Sequence, residues 1–244
     1  MTTEDKLQEF AFYALYKTTP SKFEHATINE KIKICANIAY FDFCRTINYE
    51  HFKNENEKYT DSKWKEEVSK LIHLFYYGKT DCIPEFSGMI RAIENLIKSN
   101  DATAYNEEHK KICHELTKIE SPILKNKLSI GQAQKWVNMT VKHLWLNGLV
   151  KCDASFLHVP IDNYILGELY KESEKIDLSL EIKKEVDQYK VKQGGKFISW
   201  SQISDYDTCY KSIQEDIKKI SKEKLTPIEW EYDAWLTVAQ SGKA

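Results

Sequence analysis

The chain has 244 residues, of which 42% are hydrophobic and 12% aromatic, a content that excludes an intrinsically disordered protein. Lysine and arginine number 35 against 37 aspartates and glutamates, and the formal net charge of −2 argues against a chain that binds nucleic acid through its overall charge. With only 8 glycines and 5 prolines, the composition predicts an all-α, multi-helix globular fold.

Capping sequences and apolar spacing predict where the helices lie. A hydroxyl residue followed three positions later by an acid or an amide can satisfy the free amides of a first helical turn. This pattern marks four helix starts, which in chain order are Thr27-x-x-Glu30, Ser129-x-x-Gln132, Ser204-x-x-Asp207 and Thr226-Pro227-x-Glu229. Apolar residues at helical spacing predict further helices over about 4–17, 28–46, 62–77, 85–98 and 104–119. Strand is expected at most as a minor hairpin near 194–200.

A break at Glu120-Ser121-Pro122 divides the chain near its middle. The predicted halves are residues 1–120 and 121–244, which form either one domain or two helical subdomains with a cleft between them. The sequence shows no signal peptide and no apolar run of about 18 residues. Its six cysteines form no Cys-x-x-Cys pair. We therefore expect a cytoplasmic protein with reduced thiols and no membrane partner.

His109, Cys113 and His114 come closest to a metal-binding pattern. His109 and Cys113 share one face of a predicted helix, whereas His114 points elsewhere. Because two ligands do not make a zinc site, we expect no metal and no cofactor.

The segment from Ser129 to Asn147 carries the main functional signal. At about 100° per residue its apolar residues fall on one broad side. The residues predicted to be buried there are Trp136, Val137, Val141 and Leu144. A narrow arc on the opposite side is predicted to line an open face, and it carries Gly131, Lys135, Asn138 and Lys142. Such an arc is either a solvated helix face or a surface that binds a substrate.

A second segment, from His158 to Leu166, starts another helix. Pro160 suits the residues just before a first turn because it lacks an amide proton. Asp162 is placed to cap the amides near Tyr164, and a helix cap alone explains an aspartate at this position. A functional role needs the pairing of this segment with the lysine-bearing helix before it.

A local excess of positive charge coincides with these two segments. From Ser121 to Ile161 five lysines stand against one acid, Asp153, so this stretch carries +4 and the remainder −6. Phosphate binding requires such a basic stretch, and DNA is the expected partner. The acids near the carboxyl end, Glu229, Glu231 and Asp233, would repel phosphate, so we expect that end to lie away from DNA.

Gly131-Gln-Ala-Gln-Lys135 followed by Pro160-Ile161-Asp162 resembles the catalytic core of helix-hairpin-helix DNA glycosylases. The resemblance implies that Lys135 attacks the sugar C1′ to form a Schiff base. It also implies that Asp162 stabilises the developing oxocarbenium charge or moves protons. Such a lysine has to be neutral to attack, and the nearby cation of Lys142 is expected to favour that state. The residues assigned to substrate binding are Gly131, Asn138, Lys142 and His158.

Two features differ from the family pattern, and one further resemblance exists. The family's Pro-Gly-x-Gly hairpin is reduced to Leu128-Ser129-Ile130-Gly131, and the loop from Asn147 to Phe156 is an insertion.

The pattern Gln-Lys-x-x-Asn-Met-x-x-Lys with Pro-Ile-Asp also resembles an uncharacterised family of bacterial proteins. Two functions are therefore expected as alternatives: a DNA base-excision enzyme acting on a damaged or modified base, or a non-catalytic helical interaction or regulatory protein.

Overall fold

The computed structural model describes residues 2–44, 46, 84–120, 126–173, 200–221 and 225–240. These residues form nine α-helices and no strand, which confirms the all-α prediction. In chain order the helices are α1 (Thr3–Tyr16), α2 (Pro20–His25), α3 (Ile28–Cys44), α4 (Pro84–Leu96), α5 (Ala102–Thr117), α6 (Ile130–Leu146), α7 (Asn163–Ser173), α8 (Lys211–Ser221) and α9 (Pro227–Gln240). Short helical turns lie at Ala154–Phe156, Trp200–Gln202 and Tyr206–Tyr210.

The helices predicted from apolar spacing agree with the structure to within a few residues at each end. Helices α1, α3, α4 and α5 confirm the predictions at 4–17, 28–46, 85–98 and 104–119. The predicted helix at 62–77 and most of the predicted hairpin lie outside the described residues, and Trp200 begins a 3₁₀ turn.

Two predicted capping sequences begin α3 and α6. Thr27 Oγ1 accepts the N–H of Glu30 at 3.3 Å, while the Glu30 carboxylate accepts the N–H of Thr27 at 2.7 Å. Ser129 and Gln132 form the same reciprocal pair at 3.0 Å in each direction. Each pair satisfies two amides that a first helical turn leaves without a partner in the helix.

The capping prediction at Thr226 is confirmed, and the one at Ser204 is wrong by one residue. The Glu229 carboxylate accepts the N–H of Thr226 at 2.8 Å at the start of α9. Asp205, not Ser204, caps the next turn, since its Oδ1 accepts the N–H of Thr208 at 2.6 Å. An ionised carboxylate is a stronger acceptor than a hydroxyl, which explains why the cap falls on the aspartate.

Helix α6 ends at a glycine with a left-handed backbone. Gly148 has φ +67°, its N–H donates to Trp145 O, and the N–H of Leu149 donates to Leu144 O, each at 2.9 Å. This pair of bonds satisfies the last carbonyls of the helix, and a positive φ favours glycine at this position.

Helix α6 lies at the centre of the packing. It contacts α3 and α5, and the turns at Trp200–Gln202 and Tyr206–Tyr210 also pack against it. Its Trp136 is fully buried, and the indole N–H donates to Ala36 O of α3 at 3.0 Å. The buried apolar residues form one cluster that extends from Tyr16 to Ile228. Such a core fits one domain or two tightly packed ones, so the boundary near residue 120 stays a prediction.

None of the helices in the described ranges combines the length and the apolar character that crossing a bilayer requires.

Candidate functional site

Lys135 and Asp162 form a direct ion pair. The Lys135 ammonium, in the second turn of α6, donates to Asp162 Oδ2 at 2.9 Å. The other carboxylate oxygen, Oδ1, accepts the N–H of Tyr164 at 3.0 Å and that of Ile165 at 2.9 Å, so Asp162 also caps α7 as predicted. One aspartate thus pairs with a lysine and caps a helix. Both side chains are largely withdrawn from water, with exposures of 7% and 15%.

The extended segment that leads to Asp162 is held by amide side chains of α6 and α8. Gln134 donates to Ile161 O at 3.1 Å and accepts the N–H of Ile161 at 3.1 Å. Gln214 does the same for Val159, at 2.7 Å and 2.9 Å. The backbone N–H and C=O groups of the segment therefore have hydrogen-bond partners on both sides, although the segment belongs to no sheet. As a result, the carboxyl end of the segment places Asp162 beside Lys135.

The side chains of Gln134 and Gln214 that hold this segment are here called the amide clamp. Asn138 joins the clamp to a buried network of histidines and tyrosines. Its Nδ2 lies 3.0 Å from Val159 O and 2.9 Å from the Tyr210 hydroxyl, and its Oδ1 lies 2.7 Å from His109 Nε2. The amide oxygen is an acceptor, so His109 carries its proton on Nε2. His109 Nδ1 then accepts from the Tyr206 hydroxyl at 2.8 Å.

His158 completes the network on its far side. Its Nδ1 lies 2.9 Å from the Tyr210 hydroxyl and its Nε2 lies 2.7 Å from Asn106 Oδ1. Burial lowers the pKa of His109 to about 4 and holds the pKa of His158 well below its usual range. Both rings are therefore neutral at pH 7, as the proton positions in this network require.

A second ion pair lies two helical turns along α6. The Lys142 ammonium donates to Glu231 Oε2 of α9 at 2.5 Å, and the exposures of the two side chains are 11% and 2%. Burial raises the pKa of the Glu231 carboxyl, and the nearby charge of Lys142 opposes that shift. One of the acids near the carboxyl end therefore contacts the motif helix directly, and the expectation that this end lies away from DNA stays a prediction.

Gly131 allows a close contact between α6 and the turn at Trp200. A Cβ atom built on this glycine would lie 1.8 Å from Trp200 O, which no side chain tolerates. Its N–H donates to Ile203 O at 2.9 Å and so already has a partner within the protein. The glycine therefore has a packing reason that is independent of any phosphate.

The prediction that α6 has an open face is wrong. Lys135, Asn138 and Lys142 are 6%, 0% and 9% exposed. The predicted burial of Trp136, Val137, Val141 and Leu144 is confirmed. The helical phase is therefore right, but segments distant in sequence cover the polar arc with complementary polar groups. Helical periodicity reports which residues share a face, not what packs against that face.

The four residues assigned to substrate binding are engaged by the protein itself. The N–H of Gly131 donates to Ile203 O, and His158 bonds to the Tyr210 hydroxyl. Asn138 bonds to Val159 O, and Lys142 bonds to Glu231. A substrate-binding role for them stays a prediction. Sequence reasoning missed Gln134, Gln214 and Glu231, because their partners lie far along the chain and local spacing carries no signal for them.

The positive charge of the segment 121–161 is only partly available at the surface. Lys135 and Lys142 are buried in ion pairs, and the exposed Lys127 pairs with Glu120 at 2.6 Å. Lys125 is outside the described residues, and Lys151 is exposed. A polar cavity of about 370 Å³ opens at the amino-terminal end of α6, lined by Thr46, Asn126, Lys127, Leu128, Ser129, Gln132, Ser201 and Gln202. Across the described ranges, no group of three or more His, Cys, Asp or Glu residues could hold a metal ion.

Comparison with known proteins finds no match: no family model matches the chain, no curated protein matches it, and no solved structure matches its fold.

Proposed function

We propose that the chain is an enzyme of the DNA N-glycosylase type, in which Lys135 is an amine nucleophile and Asp162 the carboxylate that faces the reacting sugar. The observation that carries the proposal is the 2.9 Å contact between Lys135 Nζ and Asp162 Oδ2. Two groups 27 residues apart in the chain meet where the glycosylase resemblance predicts a lysine and an aspartate to meet. A nucleophile held beside its charge-stabilising partner is the arrangement that covalent catalysis needs.

The reaction follows from these two groups. After the ammonium loses a proton, the Lys135 nitrogen attacks C1′ and the C1′–N bond to the base breaks, with its electron pair leaving on the base, which takes up a proton. Opening of the sugar ring at O4′, which also takes up a proton, then gives an imine between C1′ and Nζ. Asp162 stabilises the positive charge that develops on the sugar as the base departs. Water hydrolyses the imine to the aldehyde and the free amine.

The ion pair has to open before the chemistry begins. A protonated amine that donates to a carboxylate has no free electron pair, so the substrate must displace this contact or accept its proton. Asp162 keeps its position during this change, since Oδ1 remains bonded to the amides of Tyr164 and Ile165. The amide clamp on Val159 and Ile161 supports the same position from the backbone.

The polar cavity at the start of α6 supports a path for the phosphate backbone. It combines the amino-terminal end of a 17-residue helix with the side chains of Ser129 and Lys127. Both the helix dipole and an ammonium group favour an anion. Lys135 lies in the second turn of the helix that begins at this cavity.

Borohydride trapping tests the proposal. The protein is incubated with duplex oligonucleotides that carry a deaminated, oxidised or alkylated base, and sodium borohydride reduces any imine to a stable protein–DNA adduct. We expect an adduct that Lys135→Ala abolishes and Lys142→Ala reduces only in part. Lys151→Ala is the matched control, because this lysine is exposed and lies on the same segment. Peptide mapping of the adduct should identify Lys135 as the modified residue.

A second function, a non-catalytic helical interaction or regulatory protein, is favoured by one specific observation. The motif residues also have structural roles, since Asp162 caps α7 and Gly131 admits Trp200. If no substrate gives an adduct, and duplex DNA binds no better than a neutral polymer at low salt, this second function replaces the first.

A further inference from the structure

The Lys142–Glu231 pair has no role in the reaction described above, although it shares a helix face with the reacting lysine. Lys135 and Lys142 are seven residues apart on α6, about 10 Å along the axis and within about 20° around it. Each ammonium meets a carboxylate from a different element, Asp162 before α7 and Glu231 on α9. Four charged groups with a net charge of zero thus lie along one side of a central helix.

The surroundings of the two lysines match each other closely. Lys135 Nζ lies 6.0 Å from the centroid of the Trp200 ring, and Lys142 Nζ lies 5.9 Å from the centroid of the Tyr232 ring. All four charged side chains are at least 85% withdrawn from water. Water screens buried charges poorly, so the groups of one pair act on the groups of the other.

Resting on the function proposed above, we propose that Lys142 and Glu231 are positioning residues for Lys135, which set the electrostatic field at its amine and thereby the pH at which it reacts. The two charges of this second pair have opposite signs and therefore oppose each other at Lys135 as long as both are present. Loss of either charge leaves the other unbalanced about two helical turns away. The expectation that the nearby cation of Lys142 favours a neutral Lys135 stays a prediction, to which the structure adds Glu231 as the partner of that cation.

The structure gives an electrostatic basis for this coupling. The Glu231 side chain is almost fully buried, and Lys135 and Asp162 act on its pKa in addition to its direct partner Lys142. Coulombic coupling is reciprocal, so Glu231 acts equally on Lys135. A buried pair of this kind is also a poor source of stability. Replacing both charged side chains by apolar ones of similar volume often leaves a protein as stable or more stable. Stability alone thus does not explain its presence beside a reactive lysine.

The charge variants have signed outcomes. Glu231→Gln leaves the Lys142 cation unbalanced, which disfavours the Lys135 ammonium, and the pH of half-maximal reaction should fall by about one unit. Lys142→Met leaves the Glu231 anion and should raise that pH. The rise should be the smaller change, since a buried carboxyl without its partner takes up a proton more readily. The double variant should return within about 0.3 unit of the wild type, because both charges are gone.

Two readouts separate this inference from the proposed function. The first is the yield of borohydride-trapped DNA adduct as a function of pH. The second needs no DNA: formaldehyde with cyanoborohydride converts the free amine of Lys135 to N-methyllysine, which peptide mass spectrometry quantifies across the same pH range. Thermal unfolding of each variant reports whether it is folded. Asp233→Asn, the same change of charge at an exposed position on α9, is the matched control and should leave both profiles unchanged.

The outcomes are distinct. Opposite shifts in the two single variants and their cancellation in the double variant support the inference, even where only the methylation profile is measurable because no DNA adduct forms. In that last case the proposed function fails and the coupling stands. Single variants that lose thermal stability but keep the wild-type pH of half-maximal methylation overturn the inference, since a purely structural pair behaves in that way. If one single variant does not fold, the other still decides by the sign of its shift.

Discussion

Acid should unfold this protein through its buried histidines. His109 and His143 are 0% and 7% exposed, and burial lowers the pKa of each from an ordinary value of 6.5 to about 4. His143 Nδ1 lies 3.5 Å from the Tyr16 hydroxyl, and among the described residues its Nε2 has no hydrogen-bond partner. Both rings are neutral in the folded protein, so protonation favours the unfolded chain.

The size of the effect follows from these values. A pKa difference of about 2.5 corresponds to about 3 kcal/mol for each histidine, or about 6 kcal/mol for the two. Because the folded pKa is the lower one, this stability is fully present above pH 6.5 and is lost as the pH falls towards 4. His158 shifts in the same direction and adds to the loss. Because the total stability of a domain is typically about 5–15 kcal/mol, this loss is a large fraction of it, and the free energy of unfolding should fall steeply before pH 4.

Urea unfolding at several pH values between 7 and 4.5 measures this dependence. His143→Leu removes one of the three titrating rings and one unpaired buried nitrogen, so it should flatten the dependence by about a third to a half. His25→Gln, at an exposed position on α2, is the control and should leave the dependence unchanged. A free energy of unfolding that is constant from pH 7 to 4.5, or an unchanged slope in His143→Leu, would refute this reasoning.

Two further predictions follow from single contacts in the site. Gly131→Ala should lower the free energy of urea unfolding by more than about 2 kcal/mol, because its Cβ would lie 1.8 Å from Trp200 O. The control Gly167→Ala, with nothing within 4 Å of its Cβ, should stabilise α7 by up to about 1 kcal/mol. Equal effects of the two variants would contradict the contact. Asp162→Asn should retain the cap of α7 and cost about 1–3 kcal/mol, yet remove most adduct formation in the trapping assay, since the charge that faces Lys135 is lost. If stability and trapping fell together in proportion, Asp162 would act as a cap alone.

The sequence predicts those parts of the fold that depend on near neighbours. The reciprocal contacts of Ser129 with Gln132 and the cap that Asp162 provides each join residues two or three positions apart, and both are confirmed. Helical spacing likewise predicts that Trp136 is buried. These features follow from the chemistry of a first turn and from a period of 3.6 residues, which any local segment contains in full.

The remaining parts of the site depend on partners that no local pattern names. Lys142 meets a glutamate 89 residues away, and Asn138 meets His109 from 29 residues away. Spacing places Lys142 and Asn138 on one arc, and a polar arc normally faces water. Only the contacts with Glu231 of α9 and His109 of α5 reveal that this arc is covered. The interpretation of Gly131 changes for the same reason, because Trp200 lies 69 residues further along the chain.

A central helix with a polar side requires complementary groups from every element that covers it. Gln134 and Asn138 bond to the backbone of an extended segment, and Lys135 and Lys142 each meet a carboxylate. Each contact is fully formed only when the covering segment is in one register, since a shift of one residue leaves a buried polar group without a partner. The polar arc of α6 therefore specifies where its neighbours dock, and the same specification brings a lysine and an aspartate together in a largely dry environment. The close contact between a buried amine and a carboxylate is thus a product of the packing itself. If the proposed function holds, changes in the clamp should affect trapping as well as stability.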